Sequence, residues 1–266
     1  MPPASLARPL KSQASRPLAG FEPAAQLAQT RLWSPKSGSN VPPRSWSCWI
    51  LPRAFRRVAF PLIAFCARRL ISIRTEGLEN LDTLAGPAIF AATHESKIDG
   101  VILLAALPGR WRYRMAIAIG DWVFWKGWFG GRWLQSRRYD WLVLLANVFT
   151  LPPSLAGLRG ALRHVQRLAN RGWSTLMFPE GMHTPWMLPF QSGAAWMAQH
   201  AGLPIVPVYI EGMGAVLPHD RRFAQRGSVC IRFGEPIPPG ADFREVTARV
   251  EQAVHTLRER ARPDVA

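Results

Sequence analysis

Acid is scarce in this 266-residue chain: 17 Asp and Glu stand against 33 Lys and Arg, a formal net charge of +16 and a pI near 11.4. An excess of this size implies an anionic partner, whether nucleic acid, phospholipid headgroups or a phosphorylated substrate. Cysteine is scarcer still. Cys48, Cys66 and Cys230 are too few and too scattered for a disulfide framework or a Cys-x-x-Cys metal site, and they read as buried thiols. Long apolar runs are also missing. The stretch from Trp141 to Leu158 carries Asn147, Pro152 and Pro153 inside it, which excludes a secure membrane-spanning helix and reads as protein core. The run from Val58 to Ala67 is half the length needed and is bracketed by arginines. There are no internal repeats.

What the chain does have is 48% hydrophobic residues and 12 tryptophans. The first argues against wholesale disorder and allows one sizeable core, or a core with an appendage. The second favours a membrane interface, where one end of an indole is apolar and the other wet. Base stacking is the competing use of such rings.

Three regions follow from composition. Residues 1–44 are rich in Pro, Ser and Ala, with six basic residues and Glu22 as the lone acid; they cannot bury enough apolar surface to fold. They resemble a transit peptide superficially but lack the apolar core of a signal peptide. Residues 45–77 alternate aromatic and aliphatic residues with Arg53, Arg56, Arg57, Arg68, Arg69 and Arg74. That pattern fits a helix lying in a membrane interface; the plainer reading is a helix packed on its own domain with a solvated basic edge. Residues 78–262 read as α/β. Strands are expected at 88–92, 173–178, 204–210 and 228–233, and helices at 100–107, 158–168, 192–201 and 242–262. Asp242 and Glu245 are placed as a capping box. The expected fold is a mixed, largely parallel sheet flanked by helices.

The chemistry centres on "ATHESKID", 92–99. Five positions along a regular helix turn side chains about 140° apart. His94 and Asp99 can therefore meet only if His94 lies in the loop leaving a strand and Asp99 in the first turn of the next helix, with Ser96 placed to cap that turn. Ligands bind in the crevice outside the carboxyl ends of strands in such sheets. An imidazole held there in one tautomer by a carboxylate is a general base. No nucleophile elbow surrounds Ser96, so the proton to be taken belongs to a hydroxyl on a bound substrate. "FPEGMHT", 178–184, brings a second group to the same edge: Pro179 ends a strand, Gly181 permits a tight turn, and Glu180 and His183 follow.

These segments resemble the boxes of the glycerolipid acyltransferases, typified by 1-acylglycerol-3-phosphate acyltransferase. His94-x4-Asp99 matches their HxxxxD box, "FPEGMHT" is similar to their FPEGTRS box, and "GLPIVPVYI", 202–210, to a later apolar box around a proline. The order and separations match over about residues 80–240, and the variant boxes look most like divergent bacterial members. The resemblance implies His94 and Asp99 as catalytic residues. It implies Ser96, Phe178, Pro179, Glu180, Gly181, His183 and Thr184 as substrate-binding, with Glu180 and Gly181 helping to hold the acceptor. The donor would be acyl-CoA or acyl-carrier protein and the acceptor a lysophospholipid-like hydroxyl, with no metal and no further cofactor. The place of action would be the cytoplasmic face of the inner membrane.

The chain also departs from that pattern. Pro152, in "NVFTLPP", falls where the family carries an arginine, and His183 replaces the arginine of the later box. Both arginines are associated with the acceptor's phosphate; Lys97, Arg137, Arg138 and His183 are the candidates to replace them. Between the boxes, Trp122, Trp125, Phe129, Trp128 and Trp133 suggest a surface dipping into the bilayer, with ordinary core packing as the alternative. A metal hydrolase lacks an HExxH-type spacing. A nucleic-acid binder explains the charge but leaves both boxes as coincidences. A non-catalytic lipid-binding relative is the remaining alternative.

Overall fold

Alternation along one short strand sets the two faces of the molecule. In β2 (Ile89–Ala92), Phe90 and Ala92 point into one apolar cluster and Ile89 and Ala91 into another. All four are fully buried, so the strand needs partners on both edges and covers on both faces. It belongs to a seven-stranded sheet in a computed structural model that describes residues 50–120, 141, 144–151, 155–182, 184, 186–218, 221 and 223–260. The expected tail 1–44, the aromatic segment 121–140, Pro152 and His183 lie outside those residues.

The strands are β1 (Ile71–Glu76), β2, β3 (Met115–Gly120), β4 (Val148–Leu151), β5 (Ser174–Met177), β6 (Ile205–Glu211) and β7 (Gly227–Phe233), in the order β1-β7-β6-β2-β5-β3-β4. Every neighbouring pair is parallel except β6 with β7. One face is covered by α1 (Ile50–Leu70), a 3₁₀ turn (Leu78–Thr83) and α2 (Asp99–Ala106), with a short α3 (Gly109–Arg112) at its end. The other carries α4 (Leu155–Ala169), α5 (Gly193–Ala201) and α7 (Phe243–Glu259). A one-turn α6 (Met213–Val216) follows β6. Asp242 caps α7, accepting from the Arg244 N–H at 2.8 Å.

Three expectations change. The segment expected to lie in an interface as far as residue 77 ends as a helix at Leu70. "ISIRTE" alternates with period two and pairs parallel with β7, from Ile71↔Gly227 to Glu76↔Arg232. Next, β3 was not marked in the sequence. "MAIAIG" has no polar alternation because a strand buried on both faces needs none. The thiols also differ: Cys66 is exposed on α1 and Cys230 half-buried on β7. Among the described residues no helix is long and apolar enough to cross a membrane.

Candidate active site

The ladder of β2 runs on past Ala92. The Thr93 N–H donates to the Val208 carbonyl at 3.1 Å, and Thr93 Oγ1 accepts from the Ile210 N–H at 2.9 Å. His94 is the next residue, at the carboxyl end of the strand, and Asp99 opens α2. The turn between them is built around one atom. Asp99 Oδ2 accepts from the N–H groups of Glu95 and Ser96, each at 2.8 Å, and lies 2.9 Å from His94 Nδ1. Ser96 is therefore not the cap expected of it: Ile98 occupies the cap position without a side-chain bond. The Ser96 hydroxyl is buried with no hydrogen-bond partner among the described residues. Asp99 reaches back and closes the turn that precedes the helix.

A carboxylate accepts only, so Nδ1 carries the hydrogen and Nε2 is the ring's basic nitrogen. Asp99 is fully buried. Burial pushes its carboxyl above the usual range, while the bond to His94 and the two backbone N–H groups pull the other way.

The second box clamps the first. Leaving β5, Phe178 stacks on the His94 ring, with centroids 4.1 Å apart and planes 19° from parallel. Pro179 and Glu180 form a turn closed by the Gly181 N–H donating to the Phe178 carbonyl at 3.1 Å. Gly181 sits at φ +77°, a left-handed conformation that favours glycine, and a Cβ there would meet only the movable end of the exposed Gln191 side chain. The turn aims Glu180 inward. Its Oε1 accepts from the His94 N–H and its Oε2 from the Leu188 N–H, both at 2.8 Å. The Thr184 N–H donates to the His94 carbonyl at 3.0 Å, and the Thr184 hydroxyl donates to the Trp186 carbonyl. His94 is thus held at its backbone N–H, its carbonyl, Nδ1 and one ring face.

Glu180, expected to help hold the acceptor, lines the cleft over His94. Both its oxygens are committed to backbone amides of this chain and it is 3% exposed; it positions the histidine. Burial raises its carboxyl to about 7, with Glu95 and Asp99 adding to the rise and the two amides opposing it. Glu95, also raised chiefly by burial, accepts from the Gly214 N–H at 3.0 Å.

A cleft of about 40 Å³ opens over His94, bounded by Glu95, Glu180, Trp186, Met187, Tyr209 and Arg258. Of these, Trp186, Met187 and Arg258 belong to none of the boxes, while Tyr209 lies in the later one, 202–210. Arg258 is 164 residues from His94, on α7, and only the fold brings them to one cleft. In sequence it is one basic residue among many; adjacency to His94 was the one available signal for Glu95. Lys97, a candidate to replace the family's phosphate ligands, is exposed and does not line the cleft. Arg232 is bound by Glu76 and Glu211, each at 2.8 Å. Arg258 has no carboxylate partner among the described residues.

The His–Asp pair thus stands at a strand end, with Asp99 fully buried and His94 opening onto a cleft that a guanidinium also lines. A family model described as Acyltransferase matches residues 72–211, which span both boxes and the sheet from β1 to β6. The chain belongs to the Acyltransferase family. Among known proteins it is similar to the chloroplastic 1-acyl-sn-glycerol-3-phosphate acyltransferase BAT2 of Brassica napus, 26% identical over 61% of this chain and 44% of that one. It is likewise similar to the 1-acyl-sn-glycerol-3-phosphate acyltransferase of Saccharomyces cerevisiae, 26% identical over 71% and 57%. The chain spans about half the length of the curated relatives it matches. The crystal structure of PlsC, the 1-acyl-sn-glycerophosphate acyltransferase of Thermotoga maritima, has the same fold, with a TM-score of 0.57 at 21% identity over 81% of this chain and 80% of that one.

Proposed function

We propose that the protein moves a fatty acyl group from a thioester donor, acyl-CoA or acyl-carrier protein, to the hydroxyl of a lysophosphatidate-like acceptor at a membrane surface. The observation that carries this reading is His94 Nδ1 at 2.9 Å from the buried Asp99 carboxylate, in a ring stacked on one face by Phe178 and tethered through its backbone N–H by Glu180. Nε2 takes the proton of the acceptor hydroxyl as its oxygen attacks the thioester carbonyl. Asp99 stabilises the imidazolium that forms. The tetrahedral intermediate collapses, the C–S bond breaks, and the imidazolium returns its proton to the departing thiolate, leaving an ester and a free thiol. A base of this kind contributes roughly 10²–10⁴ in rate.

Arg258 supplies the cation that Pro152 and His183 leave missing. Its guanidinium, on the cleft wall, suits a phosphate near the attacking hydroxyl. The names of the relatives support such an acceptor. Membrane contact is supported by α1, where Leu51, Phe55, Val58, Leu62 and Phe65 recur at spacings of four and three and are 40–81% exposed.

The test is acyl transfer from labelled acyl-CoA to a panel of lysolipids with and without a phosphomonoester. Turnover is expected with lysophosphatidate and to be weaker with its dephosphorylated counterpart. Equal turnover on both would remove the phosphate from the reading.

A further inference from the structure

A cavity of about 410 Å³ is lined by five arginines, Arg53, Arg56, Arg57, Arg110 and Arg114, together with Tyr113. It lies far from His94. Arg114 immediately precedes β3, and its carbonyl accepts from the Ser174 N–H at the start of β5. The cavity is therefore at the amino ends of the parallel strands, while His94 is at their carboxyl ends. Six residues of strand separate the level of Ala88 from His94, about 20 Å. An anion in this cavity is not the acceptor facing the base.

Arg110 and Arg56 are tied into the fold. Arg110 pairs with the exposed Asp82. Arg56 is 5% exposed, donates to the Leu144 carbonyl at 3.2 Å and lies 5.5 Å from the ring centroid of Trp173, so it forms a fixed cationic wall. Arg53, Arg57 and Arg114 have no carboxylate partner among the described residues. Guanidinium forks around one space fit the oxygens of a phosphate, and their mutual repulsion is relieved by an anion.

Helix α1 places that space relative to a bilayer. By helical geometry Arg53 and Arg57 lie on the side of α1 away from the exposed apolar stripe. The helix with its side chains is about 10 Å across. With the stripe sunk to the acyl boundary, the opposite side of α1 stands at the level of the lipid phosphates. We propose that the five-arginine cavity is a binding site for the phosphate headgroup of an anionic membrane phospholipid, distinct from the substrate cleft. It fixes how the enzyme sits on an anionic leaflet.

This inference rests on the membrane-surface reading and not on the acyl-transfer chemistry, and binding tests it without turnover. The full chain is sedimented with vesicles of phosphatidylcholine alone or mixed with phosphatidylglycerol. At about 1 kcal/mol for each arginine near an anionic surface, Arg110→Gln/Arg114→Gln should weaken the phosphatidylglycerol-dependent partitioning by at least about tenfold. Arg163→Gln/Arg167→Gln, exposed on α4 across the sheet, removes the same charge and should weaken it less than about threefold. Equal losses in the two variants would reduce the cavity to its net charge and overturn the site. Unchanged vesicle binding with a raised KM for acyl-CoA in the cavity variant would also overturn it, assigning the arginines to a soluble phosphate. If wild type ignores phosphatidylglycerol altogether, the membrane-surface reading fails with it.

Discussion

Phe178 lies flat against His94, the ring centroids 4.1 Å apart, although the two residues leave different strands. The contact joins the two boxes through an aromatic face, and Asp99 fixes the ring from its edge. A base needs both constraints, because one hydrogen bond leaves an imidazole free to swing about it.

Phe178→Leu keeps the apolar volume and removes the flat face. Misplacing a reacting group by about 1 Å costs on the order of 10²-fold, so kcat should fall by about 10–100-fold with KM little changed. Steady-state kinetics on one acceptor decides this. A rise in KM at constant kcat would place Phe178 against substrate instead.

Asp99→Asn makes a sharper case. Three donors converge on Oδ2 alone, so the amide oxygen of Asn can take that place and keep both turn and tautomer. What disappears is the charge that stabilises the imidazolium, along with the penalty of burying it. Turnover should drop by roughly 10²–10⁴ while the thermal midpoint holds or rises. A variant that loses both activity and folding would make Asp99 a structural residue first.

Glu180 titrates near 7 in the fold against an ordinary 4.5. The folded chain holds this proton more tightly than the unfolded one, so the stability it contributes is full below pH 4.5 and is lost as pH rises through 7. His164 has the opposite sign: burial, then Arg167 and Arg171, lowers it from 6.5 to about 4. Its contribution is full above 6.5 and is lost as pH falls through 4. Each gap corresponds to about 3 kcal/mol. Urea midpoints across this range should show the wild-type advantage over Glu180→Gln shrinking as pH rises, and the advantage over His164→Leu growing. Parallel curves for wild type and Glu180→Gln would contradict the burial argument.

Arg258→Gln removes the cleft's guanidinium. Hydrogen bonds to charged groups contribute about 1.5–3 kcal/mol, so kcat/KM for a phosphate-bearing acceptor should fall by roughly 10–100-fold. The same variant should leave a phosphate-free acceptor within about twofold. Equal losses on both acceptors would give Arg258 a role in holding the cleft rather than the phosphate.

Much of this was legible in the sequence where periodicity or a box carried it. The strands at β2, β5, β6 and β7 were marked within a residue or two because turn residues bound them. His94, Asp99 and the FPEG turn were marked by chemistry. The strand β3 was not, since a strand buried on both faces has no alternation to read. Nor was the inward turn of Glu180: an exposed substrate ligand and a buried tether look alike until Gly181 and Gln191 show which way the loop folds. Arg258 depends on α7 crossing to the His94 end of the sheet, and no local pattern records that.

The most direct measurement is acyl transfer from labelled acyl-CoA to lysophosphatidate by wild type and His94→Ala side by side, with thermal denaturation confirming that both are folded. Ester product is expected with wild type, and a loss of roughly 10²–10⁴ in rate with the variant. Wild-type turnover by a folded His94→Ala protein would contradict it.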